Sequence, residues 1–216
     1  IEGTRHEIVA EALVAATGFA ANTKGFGLEK QRVYVDEQGR VVVNEQMRTS
    51  ASHVWAAGGV TNHPLHLGFA RHQARLLVTN LTSPFFAQER YREEPFPKVL
   101  PTTPFLSSVG MKEEEAMRKY KGDCTVSLTP ISFPLTPPGS GPTRGIIKLI
   151  GRKRSGDILG AHIADPQADA LVLYFNLAMR AEIPVFDLVE HQHFPAPGPA
   201  ESVYQNLETW IEKASE

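Results

Sequence analysis

The sequence lacks the residues on which several common kinds of site depend. Its single cysteine, Cys124, excludes an internal disulfide, a redox dithiol and a cysteine-rich zinc site within the chain. A formal net charge of −2 gives no electrostatic case for binding nucleic acid or an anionic membrane surface. No apolar run approaches the roughly 18 residues that a membrane-spanning helix needs. We therefore expect a cytoplasmic protein that binds neither nucleic acid nor membrane, and we assign no metal site.

The sequence does contain short apolar runs that alternate with helical patterns. Runs rich in β-branched and apolar residues predict strands at 6–16, 33–43, 52–57, 101–110, 125–133, 145–151 and 157–164. Apolar residues at helical spacing and capping signals predict helices at 66–80, 111–122, 167–182, 184–190 and 201–213. In the first of these helices, Leu67, Ala70, Ala74, Leu77 and Val78 are predicted to face inward. This order of elements is typical of the α+β class.

Composition divides the chain into two parts. Residues 82–98 are rich in proline, phenylalanine and charge, and residues 134–144 contain too much proline and glycine for regular structure. We predict a first domain at 1–83, a linker at 84–98 and a second domain at 99–216. Because the chain opens directly with strand-like residues, we expect it to be part of a longer protein.

A short stretch in the first domain, SASHVWAAGGVTNHP at 50–64, suggests a strand that stops at Gly58-Gly59. A phosphate-binding glycine loop would need a strand before it and a helix after it. The glycine pairs at 25–27 and 139–141 lack that setting, so we interpret both as turns.

The order of the motifs carries a family resemblance. It begins with Ala16-Thr17-Gly18 and continues through VWAAG at 54–58, PTTPFLSSVGMKEEEA at 101–116, GIIKLIGRKRSGDILGAHI at 145–163 and ALVLYFNLAMRAEIPVFDLVEHQH at 170–193. In this order they resemble the C-terminal part of the pyridine nucleotide-disulfide oxidoreductases, which include dihydrolipoyl dehydrogenase, glutathione reductase and mercuric reductase. The resemblance implies the end of an FAD-binding α/β domain followed by an antiparallel-sheet interface domain with flanking helices.

The resemblance also implies a cofactor site. In a complete enzyme of this kind FAD and NAD(P) are bound, and the family's flavin-contacting positions correspond to Thr17, Gly18, Gly58 and Gly59. The family has an acid where this chain has Gly59, and it usually has arginine where this chain has Phe19. A lost hydrogen bond to a charged group costs roughly 1.5–3 kcal/mol. That loss does not by itself abolish binding, but this chain also has no phosphate-binding glycine loop. We therefore expect this chain alone to bind no FAD and interpret the two glycines as a strand-ending turn, with a flavin contact as the alternative.

A second departure lies at HQHFPAPGPAES, residues 191–202. The family motif places a catalytic acid/base histidine five residues before a glutamate that orients its ring. His193 matches the histidine, but the nearest downstream acid is Glu201, eight residues later. Either the two still form the dyad, or the site has drifted and Glu201 is a favourable charge near a helix N-terminus.

The function that these patterns indicate is that of the dimer-forming C-terminal portion of an FAD-dependent oxidoreductase. The complete protein would pass electrons between NAD(P)H, flavin and a disulfide or metal substrate. The alternative is a non-catalytic dimerisation module that has lost flavin binding. A homodimer is expected on either interpretation, because the last helix carries apolar Val203, Leu207, Trp210 and Ile211 that a small domain does not readily bury.

Overall fold

The chain forms two compact units, residues 1–92 and residues 93–216. The computed structural model describes residues 7, 9–63, 66–91, 95–132, 144–196 and 198–216. Within these residues, no helix is both long enough and apolar enough to cross a membrane. The loop predicted at 134–144 lies outside the described residues, apart from Arg144 at its end.

Among its described residues, the first unit contains one α-helix, α1 (Leu67–Thr82), and a short 3-10 turn at Phe85–Ala87. Many of its other described residues lie in turns, and isolated β-bridges join Val35 to Val41 and Arg48 to Trp55. A small core lies beneath them, made of Val33, Val41, Val43, Met47, Ala51 and Leu76. The hairpin predicted at 33–43 is therefore reduced to one bridge, closed by a turn in which the Gly39 N–H donates to the Asp36 carbonyl at 2.9 Å.

Two strand predictions in this unit are wrong. Residues 7 and 9–16 are in neither a strand nor a helix, and Val9 and Leu13 are more than 90 % exposed. The run at 52–57 contributes only the single bridge at Trp55. A strand is stable only where a neighbouring strand accepts and donates its backbone hydrogen bonds. An apolar run in the sequence does not reveal whether that neighbour is present.

Helix α1 is confirmed, but its predicted inward face is wrong. Its buried residues are Phe69, Gln73, Leu76 and Asn80, whereas Leu67 is 81 % exposed. The buried face is half polar because its two amides satisfy loop backbone. The Asn80 Nδ2 donates to the Glu89 carbonyl at 2.9 Å, and its Oδ1 accepts from the Glu89 N–H at 2.8 Å. A pattern of hydrophobic residues alone could not identify that face.

In the part of the second unit that the structure describes, a five-stranded antiparallel sheet packs with four helices, as expected for an interface domain. Its strands are β1 (Lys98–Leu100), β2 (Leu106–Gly110), β3 (Thr125–Ser132), β4 (Arg144–Gly151) and β5 (Ile158–Ala164), in the order β1-β2-β5-β4-β3. The helices are α2 (Glu113–Tyr120), α3 (Ala168–Arg180), α4 (Val185–His191) and α5 (Pro199–Ser215).

The register of the strands sends alternate side chains into the main core. Leu149 pairs with Ala161, and Ile147 pairs with Ile163, so these four side chains share one face of the sheet. Helices α3 and α5 pack on that face. The predicted inward face of α3 is confirmed: Ala168, Leu171, Val172, Phe175 and Ala178 are all buried. On the opposite face Ala116, Ile150, Leu159 and Cys124 form a smaller cluster.

Trp210 of α5 belongs to the main core. Its side chain is fully buried within one chain, and its Nε1 donates to the Thr125 carbonyl at 3.3 Å. A Cβ added to Gly151 would lie 2.7 Å from the indole ring, so glycine is needed there to admit the tryptophan. Val203 and Leu207 are also buried. The expectation that these three residues leave apolar surface for a partner is wrong, because the sheet already covers them.

Candidate functional site

The loop that carries His193 joins α4 to α5. Helix α4 ends at His191, and the next residue, Gln192, has extended backbone with φ −97° and ψ 129°. The Gln192 Nε2 donates to the His193 carbonyl at 3.0 Å. The His193 side chain is exposed, so the imidazole is accessible to a substrate or to another polypeptide.

Glu201 lies in the first turn of α5. The helix begins at Pro199, and the Glu201 N–H donates to the Gly198 carbonyl at 3.0 Å. A carboxylate at this position interacts favourably with the positive end of the helix dipole. Among the described residues, no hydrogen bond joins the His193 ring to Glu201. The structure therefore places both residues at the same loop–helix junction without joining their side chains directly.

One residue of this loop was given no role by the sequence. Phe194 is half-buried, and its ring lies 5.5 Å from the Tyr204 ring and 6.3 Å from the Tyr174 ring, measured between centroids. It also packs against the main core. The signal was present in the sequence as a phenylalanine inserted between His193 and Pro195, but the sequence alone does not reveal what such a ring contacts.

The Gly58-Gly59 turn is held by side chains that the sequence did not single out. Gly58 has φ +83°, a left-handed conformation that glycine adopts readily. Its N–H donates to Gln73 Oε1 at 2.7 Å, and its carbonyl accepts from Thr61 Oγ1 at 2.8 Å. Gln73 and Thr61 are both fully buried. The backbone hydrogen bonds of this turn are therefore satisfied by buried side chains, Gln73 from α1 and Thr61 from the loop that follows the turn.

A cavity of about 400 Å³ opens beside this turn. Its lining consists of Phe19, Ala20, Ala21, Gln38, Arg40, Gly59, Thr61, Asn62 and His63. It contains Gly59 and the residues that follow the Thr17-Gly18 motif, whereas Thr17 and Gly18 themselves are exposed and lie outside the lining. Of the four positions predicted to contact the cofactor, Gly59 alone therefore belongs to the lining of this cavity.

The charged groups in the cavity lining limit which cofactor the cavity could hold. The lining has no carboxylate, and its cation, Arg40, is already paired with Asp36 through Nε at 2.8 Å. Behind the turn, Gln73 Nε2 is buried and has no hydrogen-bond partner among the described residues. The family resemblance implies an acid at position 59 that hydrogen-bonds the flavin, and this chain has glycine there. The residues present therefore do not by themselves fit FAD.

No cluster of metal ligands accompanies these features. Within the described residues, no group of three or more histidine, cysteine, aspartate or glutamate side chains could hold a metal ion. Cys124 is buried, and burial raises the pKa of its thiol, an effect to which the nearby Glu113 and Asp123 carboxylates add. A thiol in this setting is a packing residue and a poor nucleophile.

Comparisons with known protein families cover most of the chain. Residues 96–207 match the dimerisation domain of the pyridine nucleotide-disulphide oxidoreductases, and residues 1–74 match the pyridine nucleotide-disulphide oxidoreductase model itself. The first match contains the whole sheet, α2, α3, α4 and the His193 loop.

Individual proteins agree with these matches. The chain is 32 % identical to dihydrolipoyl dehydrogenase of Thermus scotoductus over 212 residues, which are 98 % of this chain and 45 % of that protein. It is 32 % identical to mercuric reductase of Streptomyces lividans over 187 residues, 87 % of this chain and 39 % of that enzyme. Among solved structures, the HOCl-induced flavoprotein disulfide reductase RclA from Escherichia coli superposes with a TM-score of 0.76 at 26 % identity, covering 89 % of this chain and 44 % of RclA. The chain thus spans less than half the length of each.

Proposed function

Because the chain belongs to the pyridine nucleotide-disulphide oxidoreductase family, we propose that it is the dimer-forming C-terminal portion of an FAD-dependent oxidoreductase. The complete protein would pass electrons between NAD(P)H, flavin and a disulfide or metal substrate. The observation that carries this proposal is the dimerisation-domain match over 96–207, which coincides with the five-stranded sheet and its helices. The scarcity of cysteine supports a cytoplasmic location.

In the complete protein, FAD would supply the redox chemistry. The residues of this chain nearest to such a site are those of the Gly58-Gly59 turn and the cavity beside it. Without an acid at position 59, we expect them to contribute shape and backbone hydrogen-bonding groups only. Purified by itself, the chain should therefore be colourless. Stoichiometric FAD that stays with the chain through gel filtration would contradict this expectation.

His193 is proposed as the acid/base residue of the complete enzyme. An imidazole is suited to proton transfer near neutral pH, and this one is exposed at the end of a short loop between two packed helices. Glu201 is proposed to orient it, through a small movement of the loop or through a water molecule. If that contact never forms, Glu201 acts only on the α5 dipole.

The dimer surface is proposed to lie on the outer side of α3. Leu173 and Leu177 are 54 % and 68 % exposed there, on the side opposite the buried face. An apolar stripe of this kind on a soluble domain usually marks an interface, and a two-fold contact is the commonest form. A second copy of the chain is therefore its proposed occupant.

The competing proposal, a dimerisation module without catalysis, is supported by Gly59 and by the long His193–Glu201 spacing. The two are separated by purifying the complete protein that carries this chain. A flavin absorption band together with NAD(P)H oxidation in the presence of a disulfide or a metal ion supports the enzyme. A colourless protein without NAD(P)H oxidation supports the module.

A further inference from the structure

We propose that Phe194 is a positioning residue for His193: its ring, held between Tyr174 and Tyr204, fixes the direction in which the loop presents the imidazole. This inference rests on the proposed acid/base role of His193. Among residues 191–196, all of which the structure describes, Phe194 alone is not exposed. It is therefore the point at which this part of the loop is attached to the folded unit.

The platform that receives Phe194 is built from two helices. Tyr174 belongs to α3 and Tyr204 to α5, and the Phe194 ring meets them at interplanar angles of 35° and 46°. Centroid distances of 5.5 Å and 6.3 Å lie in the range at which aromatic pairs attract one another. One turn further along α5, the Glu208 carboxylate raises the pKa of the Tyr204 hydroxyl. The Phe194 ring thus joins the loop to α3 and α5, the two helices that pack on the sheet.

The backbone on either side of Phe194 has little freedom. Pro195 follows it, and a residue before proline is restricted to extended conformations. Gln192 is also extended, and its side chain donates to the His193 carbonyl. In extended backbone, neighbouring side chains point to opposite sides. With Phe194 directed into the core, His193 is directed away from it, which agrees with its exposure.

Nuclear magnetic resonance of the 216-residue chain tests the anchoring. We expect Phe194→Ala to lower the order parameter of the His193 backbone N–H from the rigid range of about 0.85 to below about 0.6. Phe194→Tyr should restore it, because a second aromatic ring can occupy the same platform. Phe105→Ala is the matched control, since Phe105 is also a partly buried ring against the main core but lies outside this loop. It should leave the order of His193 unchanged.

Two results would overturn the proposal. One is an unchanged order parameter in Phe194→Ala. The other is an equal loss of order in Phe194→Ala and Phe105→Ala, which would mean that the chain has only been destabilised. Thermal unfolding of each variant, run beside the spectra, confirms that the comparison is between folded proteins.

Kinetics of the complete protein test the consequence for catalysis. Small misplacements of a reacting group are costly, so Phe194→Ala should lower kcat about 10-fold or more. It should leave the KM for NAD(P)H unchanged, and Phe194→Tyr should recover most of the loss. Unchanged kcat would reject the positioning role. If His193→Ala also leaves kcat unchanged, the acid/base proposal itself fails, and the resonance data still decide whether Phe194 anchors the loop.

Discussion

At the scale of single residues, the site depends on a few side chains whose surroundings differ sharply. His193 is exposed on a short loop, whereas Glu201 is half-buried in the first turn of α5. Phe194, which lies between them and packs against the main core, has no polar group. The acid/base role proposed for His193 would therefore depend on how the loop is held as much as on the two titratable groups.

His193→Ala in the complete enzyme should lower turnover by roughly 10²–10⁴, the usual contribution of general acid–base catalysis. Glu201→Gln should lower it by less, because the histidine remains. His191→Ala is the matched control: that ring is exposed, its Nδ1 lies 3.2 Å from the Asp187 carbonyl oxygen, and its loss should leave turnover intact. Steady-state kinetics decide, and undiminished turnover in His193→Ala would show that the site has drifted.

Asp123 provides a prediction about pH. The Arg154 N–H and the Arg152 guanidinium donate to its carboxylate, and these hydrogen bonds hold its pKa below the ordinary value of 3.8. A depressed pKa means that the carboxylate stabilises the fold fully above that ordinary value and loses its effect as the pH falls through the folded-state pKa. Asp123→Asn should therefore lower the Tm at pH 6, and the gap to the unsubstituted chain should narrow toward pH 3. A gap that widens on acidification would contradict this account.

At the scale of elements, the sequence predicted the second unit well and the first unit poorly. The strands at 145–151 and 157–164 flank a tight turn and pair with each other, so local pattern was sufficient to identify them. Residues 9–16 carry a comparable apolar pattern but no neighbouring strand in the described residues. The buried face of α1 was missed because Gln73 and Asn80 are buried for their hydrogen bonds and not for their hydrophobicity.

The candidate site residues were also only partly predictable from the sequence. Their types could be read from the order of the motifs, since His193 and Gly58-Gly59 stand at recognisable positions. The side chains that hold these residues in place could not be predicted from the sequence. Tyr174 and Tyr204, which contact the His193 loop, and Gln73, which bonds Gly58, are 10 or more residues away along the chain. Contacts of this kind depend on tertiary packing, which a local pattern does not contain.

Asn206 is a buried polar residue that joins helix α5 to the sheet. Asn206 Nδ2 donates to Thr129 Oγ1 at 2.8 Å and to the Ile147 carbonyl at 3.1 Å, and its Oδ1 accepts from Ser127 Oγ at 3.2 Å. Removing the amide leaves buried groups without partners, which costs about 1–3 kcal/mol. Asn206→Ala should lower the free energy of unfolding by at least that amount in chemical denaturation.

The neighbouring residue Gln205 is exposed on the same helix and provides the control for Asn206. Gln205→Ala should change the free energy of unfolding by less than about 0.5 kcal/mol, as is usual for surface positions. Equal effects of the two substitutions would mean that the buried amide does not hold α5 to the sheet.

At the scale of the whole molecule, the central claim is that this chain forms dimers through its second unit. The α5 residues first expected to meet a partner are core residues, and the exposed apolar stripe is on α3 instead. An obligate interface buries more than about 2,000 Å² in total and is rich in apolar side chains. The α3 stripe would form only the centre of such an interface.

Sedimentation velocity of the purified chain at micromolar concentration tests this claim most directly. We expect one species at twice the chain mass of 23.8 kDa. Leu177→Asp should convert it into a folded monomer, because Leu177 is exposed and a buried unpaired charge at an interface is strongly unfavourable. Glu208→Asp, an exposed change on α5, should leave the dimer intact. A single species at 23.8 kDa for the unsubstituted chain would contradict the account.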